Sequence, residues 1–234
     1  MDAHLASEID IAGFREEARS LLAHQVPPDE VHWQAPAENA DQFTDACPAD
    51  ARPRGVPKAA SAIVPASFQR LCDVVVLHRD PDRFALLYRL LWRLVHEPGL
   101  RNNPIDPDML HAHQMGQAVR RDLHKMKSFL RFRPMRGDDG ELLQLSWFEP
   151  AHHIVEAVAP WFAQRTPHSR WAIFTPDRSV ECDGPHLHYG RGVTRAELFS
   201  HDPSDAQLLD CYRLVFGAGM NRERAAEPDI AATP

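Results

Sequence analysis

Cysteine is scarce in this chain. Cys47, Cys72, Cys182 and Cys211 are widely spaced, with no CxxC pair among them. That spacing disfavours a zinc ribbon and a disulfide-dense secreted scaffold, and it fits a reducing compartment. Long apolar runs are missing as well. Nothing approaches the ~18 uninterrupted apolar residues of a membrane span. The opening segment MDAHLASEIDIAGF has neither a basic flank nor an extended apolar stretch, so a cytoplasmic protein with no membrane partner is expected. No GxGxxG, GK[ST], GxSxG or HExxH pattern occurs, which leaves nucleotide-binding folds, serine hydrolases and helical zinc proteases without support. Nor is there an internal repeat, and solenoids are excluded with it. Positive charge is in deficit: 26 Lys and Arg stand against 33 Asp and Glu, a formal net charge of -7. An acidic chain does not coat nucleic acid indiscriminately, so any anionic partner must meet a confined patch.

One stretch reverses that balance. Between His111 and Arg136 there are seven Lys and Arg and one Asp. Met115, Ala118, Val119, Leu123, Met126 and Leu130 recur within it at helical spacing, which places the cations on another face. His113, Gln117, Arg120, His124, Lys127 and Arg131 follow three- and four-residue steps and form a stripe, with Arg121 and Lys125 beside it. Such a stripe suits a phosphate backbone. It also suits a solvated helix face paired with acids elsewhere, and spacing does not separate the two readings.

The rest of the chain reads as α+β, with a helical N-terminal half packed on an antiparallel meander sheet. Residues 8–24 predict an amphipathic helix halted by Pro27-Pro28, and Val31 to Gln34 a brief strand. Residues 35–60 are poor in large apolar side chains and read as a loop or linker. The main α+β domain is expected over 61–216, ahead of a disordered tail at 217–234. Asp80-Pro81 and Asp106-Pro107 are helix-start signals, because Asp caps free backbone N–H groups and Pro at the first turn loses nothing. After Leu130 the period changes to two. Gly137 to Gly140 supplies a hairpin turn, and Leu142 to Phe148, Trp171 to Thr175, Ser179 to Cys182 and His186 to Tyr189 are strands. Glu149-Pro150 predicts another helix, and Asp205 to Phe216 the last one.

Two clusters carry possible chemistry. If a helix includes Pro150, then Glu149, His152 and Glu156 share one face, and two carboxylates around an imidazole suit a divalent metal or a general base. His153 adjoins His152 but points about 100° away on a helix, so the two do not readily share an ion. An acid at a helix N-terminus has a plain dipole explanation too. His186 and His188 alternate on a strand, with Asp177 and Asp183 in the turns leading to them, where turn propensity alone favours Asp. Metal and cofactor stay unassigned. Trp147, Trp161, Phe162 and Trp171 offer aromatic surface, better suited to a core than to base stacking.

Several stretches together resemble a known bacterial family. They are Val26-Pro-Pro-Asp-Glu-Val-His-Trp-Gln34, His78-Arg-Asp-Pro-Asp-Arg-Phe through Arg93, Val119-Arg-Arg-Asp-Leu-His-Lys-Met126, Arg131-Phe-Arg133, Trp147-Phe-Glu-Pro-Ala-His-His-Ile154, Ala159-Pro-Trp-Phe162 and Trp171-Ala-Ile-Phe-Thr-Pro-Asp177. The combination is similar to proteins described as probable DNA metabolism proteins, of unknown mechanism. These stand beside a radical-SAM partner or are fused to an unusual uracil-DNA glycosylase. The likeness spans about residues 9–216. The Tyr-rich, Asn-Pro-Ala-Arg-like and basic segments usual at the end of such proteins have no counterpart here, and uracil excision does not carry over.

The resemblance implies a context rather than a reaction. It turns the basic stretch into an expected DNA contact through Arg120, Arg121, His124, Lys125, Lys127, Arg131 and Arg133. The function expected is a DNA-binding or adaptor module in DNA metabolism or repair, partnered by DNA and by a radical-SAM or glycosylase enzyme. The alternative is an enzyme on DNA or nucleotides that uses Glu149, His152, His153 and Asp177.

Overall fold

A computed structural model describes residues 1–36, 44–45, 64–103, 105–137, 140–167, 169–184, 186–198 and 204–217. Most of the loop expected over 35–60, and the tail expected beyond residue 217, lie outside the described residues. The chain divides into two compact units. One comprises Met1–Glu38, Ala49–Ser128 and Pro150–Ile154, the other Asn39–Pro48, Phe129–Glu149 and Val155–Pro234. The stretch 61–216 contributes to both, and the α+β class is as the periodicities imply.

The first unit opens with a parallel pair of short strands, β1 (Asp2–His4) and β2 (His32–Gln34), joined through α1 (Ile11–Ala23). α1 begins where the Asp10 carboxylate accepts the Gly13 N–H at 2.7 Å. It buries Phe14, Ala18 and Leu21, one helical face. Gln25, at φ 54°, takes the left-handed position usual for glycine, and the Val26 N–H closes on the Leu21 carbonyl at 3.0 Å. Three further helices follow: α2 (Ala66–Val75), α3 (Arg83–His96) and, after a 3-10 turn over Pro98–Asn102, α4 (Pro107–Phe129). Phe14, Trp33, Phe84 and Tyr88 form an aromatic centre with ring centroids 5.0 to 6.1 Å apart.

The expected helix start at Asp80-Pro81 is displaced. Asp80 accepts the Asp82 N–H at 2.9 Å in a turn ahead of the helix. The cause is Arg83, whose side chain is 2% exposed. It donates to the carbonyls of Val76 at 2.9 Å and Asp80 at 2.8 Å and to the Glu8 carboxylate at 2.6 Å. Folding the Asp80 carbonyl onto this buried guanidinium holds it in a turn.

The second unit is built on one mixed sheet in the order β3-β8-β7-β6-β5-β4. Its strands are β3 (Thr44–Asp45), β4 (Arg133–Arg136), β5 (Leu142–Trp147), β6 (Arg170–Phe174), β7 (Arg178–Asp183) and β8 (His186–Arg191), and its helices α5 (Val155–Arg165), α6 (Arg195–Leu198) and α7 (Asp205–Val215). β6, β7 and β8 form the antiparallel meander expected. The sheet as a whole is not antiparallel, because β5 and β6 pair in parallel. α5 lies between them in sequence and returns the chain to the same end, as a parallel neighbour requires.

α7 and α5 cover opposite faces of this sheet. Met135, Leu143, Leu145, Ala172 and Phe174 pack with Leu208, Tyr212, Val215 and Phe216 of α7. Phe162 of α5 meets Trp171, which is fully buried on the other face. Gly190 is required here, since a Cβ would lie 2.5 Å from Val215. Tyr212 donates to the buried Glu181 carboxylate at 2.5 Å, and Arg170 donates to Glu181 at 3.1 Å and to the Tyr212 hydroxyl at 2.8 Å. A polar triad on the α7 face is thereby satisfied. In β4, Met135, paired with Leu143, is buried, and Pro134 is exposed. As an edge strand, β4 tolerates a residue with no N–H to offer.

Candidate nucleic-acid interface

α4 is fixed at its start by Asp106, which accepts the Met109 N–H at 3.0 Å while Pro107 occupies the first turn. Arg93 clamps both acids of this end, reaching Asp106 at 2.7 Å and Asp108 at 3.0 Å. These hydrogen bonds to Arg93 hold the Asp106 carboxyl below the ordinary range, and those to Arg89 do the same for Asp108. The buried stripe of α4 is Ala112, Met115, Gly116, Val119, Asp122 and Met126. Gly116 and Asp122 extend the apolar face read from the sequence.

The opposite side carries the cations. Arg120, Arg121, His124 and Lys125 are exposed, and none has an acidic partner among the described residues. Some other arginines of this unit are ion-paired, Arg15 with Asp73 at 2.5 Å, Arg83 with Glu8 at 2.6 Å and Arg89 with Asp108 at 2.9 Å; the exposed Arg19 and Arg70 stand apart from the row. Asp122, the acid inside the basic run, turns inward. Its Oδ2 accepts the backbone N–H groups of Ala151 and His152 at 2.8 and 3.0 Å.

Lys127 is half-buried on the flank of the row. Arg131 and Arg133 lie beyond the end of α4, in the second unit. Arg131 donates to the Leu130 carbonyl at 3.0 Å, and Arg133 stands 3.5 Å from Asp205 at the start of α7. They lie outside α4, which stops at Phe129.

The second cluster is arranged differently from its expected geometry. Residues 150–154 form turns, and α5 starts at Val155. The His153 N–H, which a helix from Glu149-Pro150 would direct to the Glu149 carbonyl, donates instead to the Leu77 carbonyl at 3.0 Å. Glu149, His152 and Glu156 therefore share no helical face. Glu149 and Asp177 belong to the second unit, His152 and His153 to the first. His153 approaches Glu8 at 3.6 Å, joining the Arg83 network. His152 stacks on His78 with centroids 4.3 Å apart, and its Nδ1 accepts the Arg79 N–H at 3.3 Å. Burial lowers the pKa of both imidazoles, and for His78 the neighbouring His152 adds to it. His78 and His152 are distant in sequence, and no spacing signal joins them.

His186 and His188 share a side of β8 as expected, with centroids 6.2 Å apart. Among the described residues, no group of three or more His, Cys, Asp or Glu is placed to hold a metal ion. Trp171 fills the core of its sheet, and Trp161 packs edge-on against Phe162. No helix among the described residues is long and apolar enough to cross a membrane. The first unit also contains a cavity of about 570 Å³ between α2, the 3-10 turn and α4.

The arrangement defines an α+β protein with an exposed cationic helix face whose Arg120, Arg121, His124 and Lys125 have no acidic partner among the described residues. The chain belongs to the family described as domain of unknown function DUF4130, which matches residues 81–224. No curated protein and no solved structure matches it.

Proposed function

We propose that this protein is a nucleic-acid-binding module, a DNA-binding or adaptor component of bacterial DNA metabolism or repair, that contacts phosphates through α4. The observation that carries this reading is the row Arg120, Arg121, His124 and Lys125, exposed and without acidic partners among the described residues, in a chain of net charge -7. Cations left unpaired in an acidic protein favour an external anion, and each phosphate they neutralise releases condensed counterions. Lys127 extends the row along its flank. A radical-SAM or glycosylase partner, as the family resemblance suggests, would supply the chemistry. The helix face expected to gather Glu149, His152 and Glu156 is not formed by residues 150–154, and binding is the preferred function over catalysis through Glu149, His152, His153 and Asp177.

Electrophoretic mobility shifts with duplex and single-stranded DNA test the proposal. Arg121→Glu with Lys125→Glu should weaken, at least about tenfold, the binding seen with the unaltered protein at low salt. Arg15→Glu, at a residue ion-paired with Asp73, should weaken it little. Equal losses from both changes would speak against a localised interface.

A further inference from the structure

The cavity of the first unit has the size and lining of a small-molecule site. At about 570 Å³ it falls within the range of pockets that enclose one compact ligand. Its walls are apolar: Phe68, Leu71, Leu94 and Leu100, all buried. Among the described residues its rim is polar, with Ser67, Arg101, Asn102, Asn103 and His113 exposed around it. An aromatic ring inside, amides beside it and cationic groups at the mouth suit a ligand with a flat face, a hydrogen-bonding edge and a negative charge.

The rim is continuous with the cationic face of α4. His113, Gln117 and Arg120 follow one another at four- and three-residue steps on the exposed side. Gly116 lies between this face and the pocket wall: a Cβ there would sit 3.3 Å from Leu71 Cδ1 and 3.5 Å from Arg120 Nη1. The absence of a side chain at 116 leaves room for the Arg120 guanidinium on the side of the helix that faces the pocket-lining Leu71. A phosphate held by Arg120 and His113 would therefore lie at the mouth.

We infer that this cavity accepts the base of a nucleotide, whose phosphate is held at the His113 and Arg120 end of the α4 row. The inference rests on the nucleic-acid reading of α4 and deepens it, since a strand tracking the row can place one unstacked base in the pocket. A free nucleoside monophosphate presents the same chemistry.

Two sets of ligands separate these sources. The first is a short single strand and the same strand with one central abasic position, compared by competition against a labelled copy. The second is each deoxynucleoside 5′-monophosphate, followed by protein NMR or calorimetry. The intact strand should bind at least about fivefold more tightly than the abasic one. Asn102→Ala with His113→Ala, both at exposed rim positions, should bring that ratio towards one. Met109→Trp, which fills the cavity from α4, should do the same by a different route. Arg121→Glu with Lys125→Glu should weaken both strands by the same factor and leave the ratio intact. If strands fail to bind but a monophosphate binds and is displaced by Met109→Trp, the pocket assignment stands and the strand reading falls. If the intact and abasic strands bind alike and no monophosphate binds, the pocket assignment is overturned while α4 binding survives. Binding of neither class overturns both.

Discussion

Asp122 Oδ2 accepts the His152 N–H at 3.0 Å. The acid embedded in the basic run of α4 is thereby turned towards the protein interior, so that among the described residues it is not a neighbour of the exposed cations on their own face. The contact ties the basic run to residues 150–154, which do not form the helix expected at Glu149-Pro150.

Replacing Asp122 should therefore be costly. Asp122→Ala leaves the Ala151 and His152 N–H groups without their acceptor, and a loss of about 2 kcal/mol or more is expected. Asp122→Asn keeps one acceptor oxygen and should lose less. Urea unfolding checks this, with a lowered midpoint and an unchanged slope for the alanine variant.

The same contact shows where sequence reading reaches its limit. α4 was legible because its apolar positions repeat at the helical period and because Asp106-Pro107 marks its start. β6 to β8 were legible from alternation and from their turns. Residues 150–154 read as a helix because local acid-Pro chemistry favours one. The group that competes with it for the His153 N–H, the Leu77 carbonyl, is far away in the chain and carries no periodic signal. The parallel pairing of β5 with β6 escaped for a similar reason, since a strand's sequence does not state the direction of its neighbour. β1, three residues long with Ala3 as its buried member, is too short for any period to register. Of the interface, Arg120, Arg121, His124 and Lys125 could be read directly. The displacement of Arg131 and Arg133 depended on where the helix ends.

The His78 and His152 pair makes the first unit sensitive to acid. Burial depresses both imidazole pKa values from their ordinary 6.5, so the unfolded chain takes up these protons more readily than the folded one. The sign follows from that difference: stability is present in full above pH 6.5 and declines as pH falls below it. Thermal unfolding midpoints between about pH 8 and about pH 5 should fall for the unaltered protein. His78→Gln with His152→Gln, which cannot titrate, should flatten that fall. An unchanged slope in the double variant would show that other groups are responsible.

Thiol chemistry offers a separate check on the packing. Cys72, Cys182 and Cys211 are buried and unbridged. Burial raises all three, Cys72 to about 12 and Cys211 to about 11. The nucleophilic thiolate is thus suppressed at neutral pH. In a Cys47→Ser background, a thiol-reactive dye should label the native protein far more slowly than the urea-unfolded one. Rapid native labelling at Cys72 would contradict the burial of α2.

The central claim is that the exposed row on α4 binds phosphates, and its most direct test is the salt dependence of DNA affinity measured by fluorescence anisotropy. With Arg120, Arg121, His124 and Lys125 engaging a duplex, log K should fall with log salt at a slope of roughly -2 to -4, by the counterion-release rule. Arg121→Gln with Lys125→Gln should make that slope shallower by about two. A slope near zero, or one that the double substitution leaves unchanged, would contradict the account.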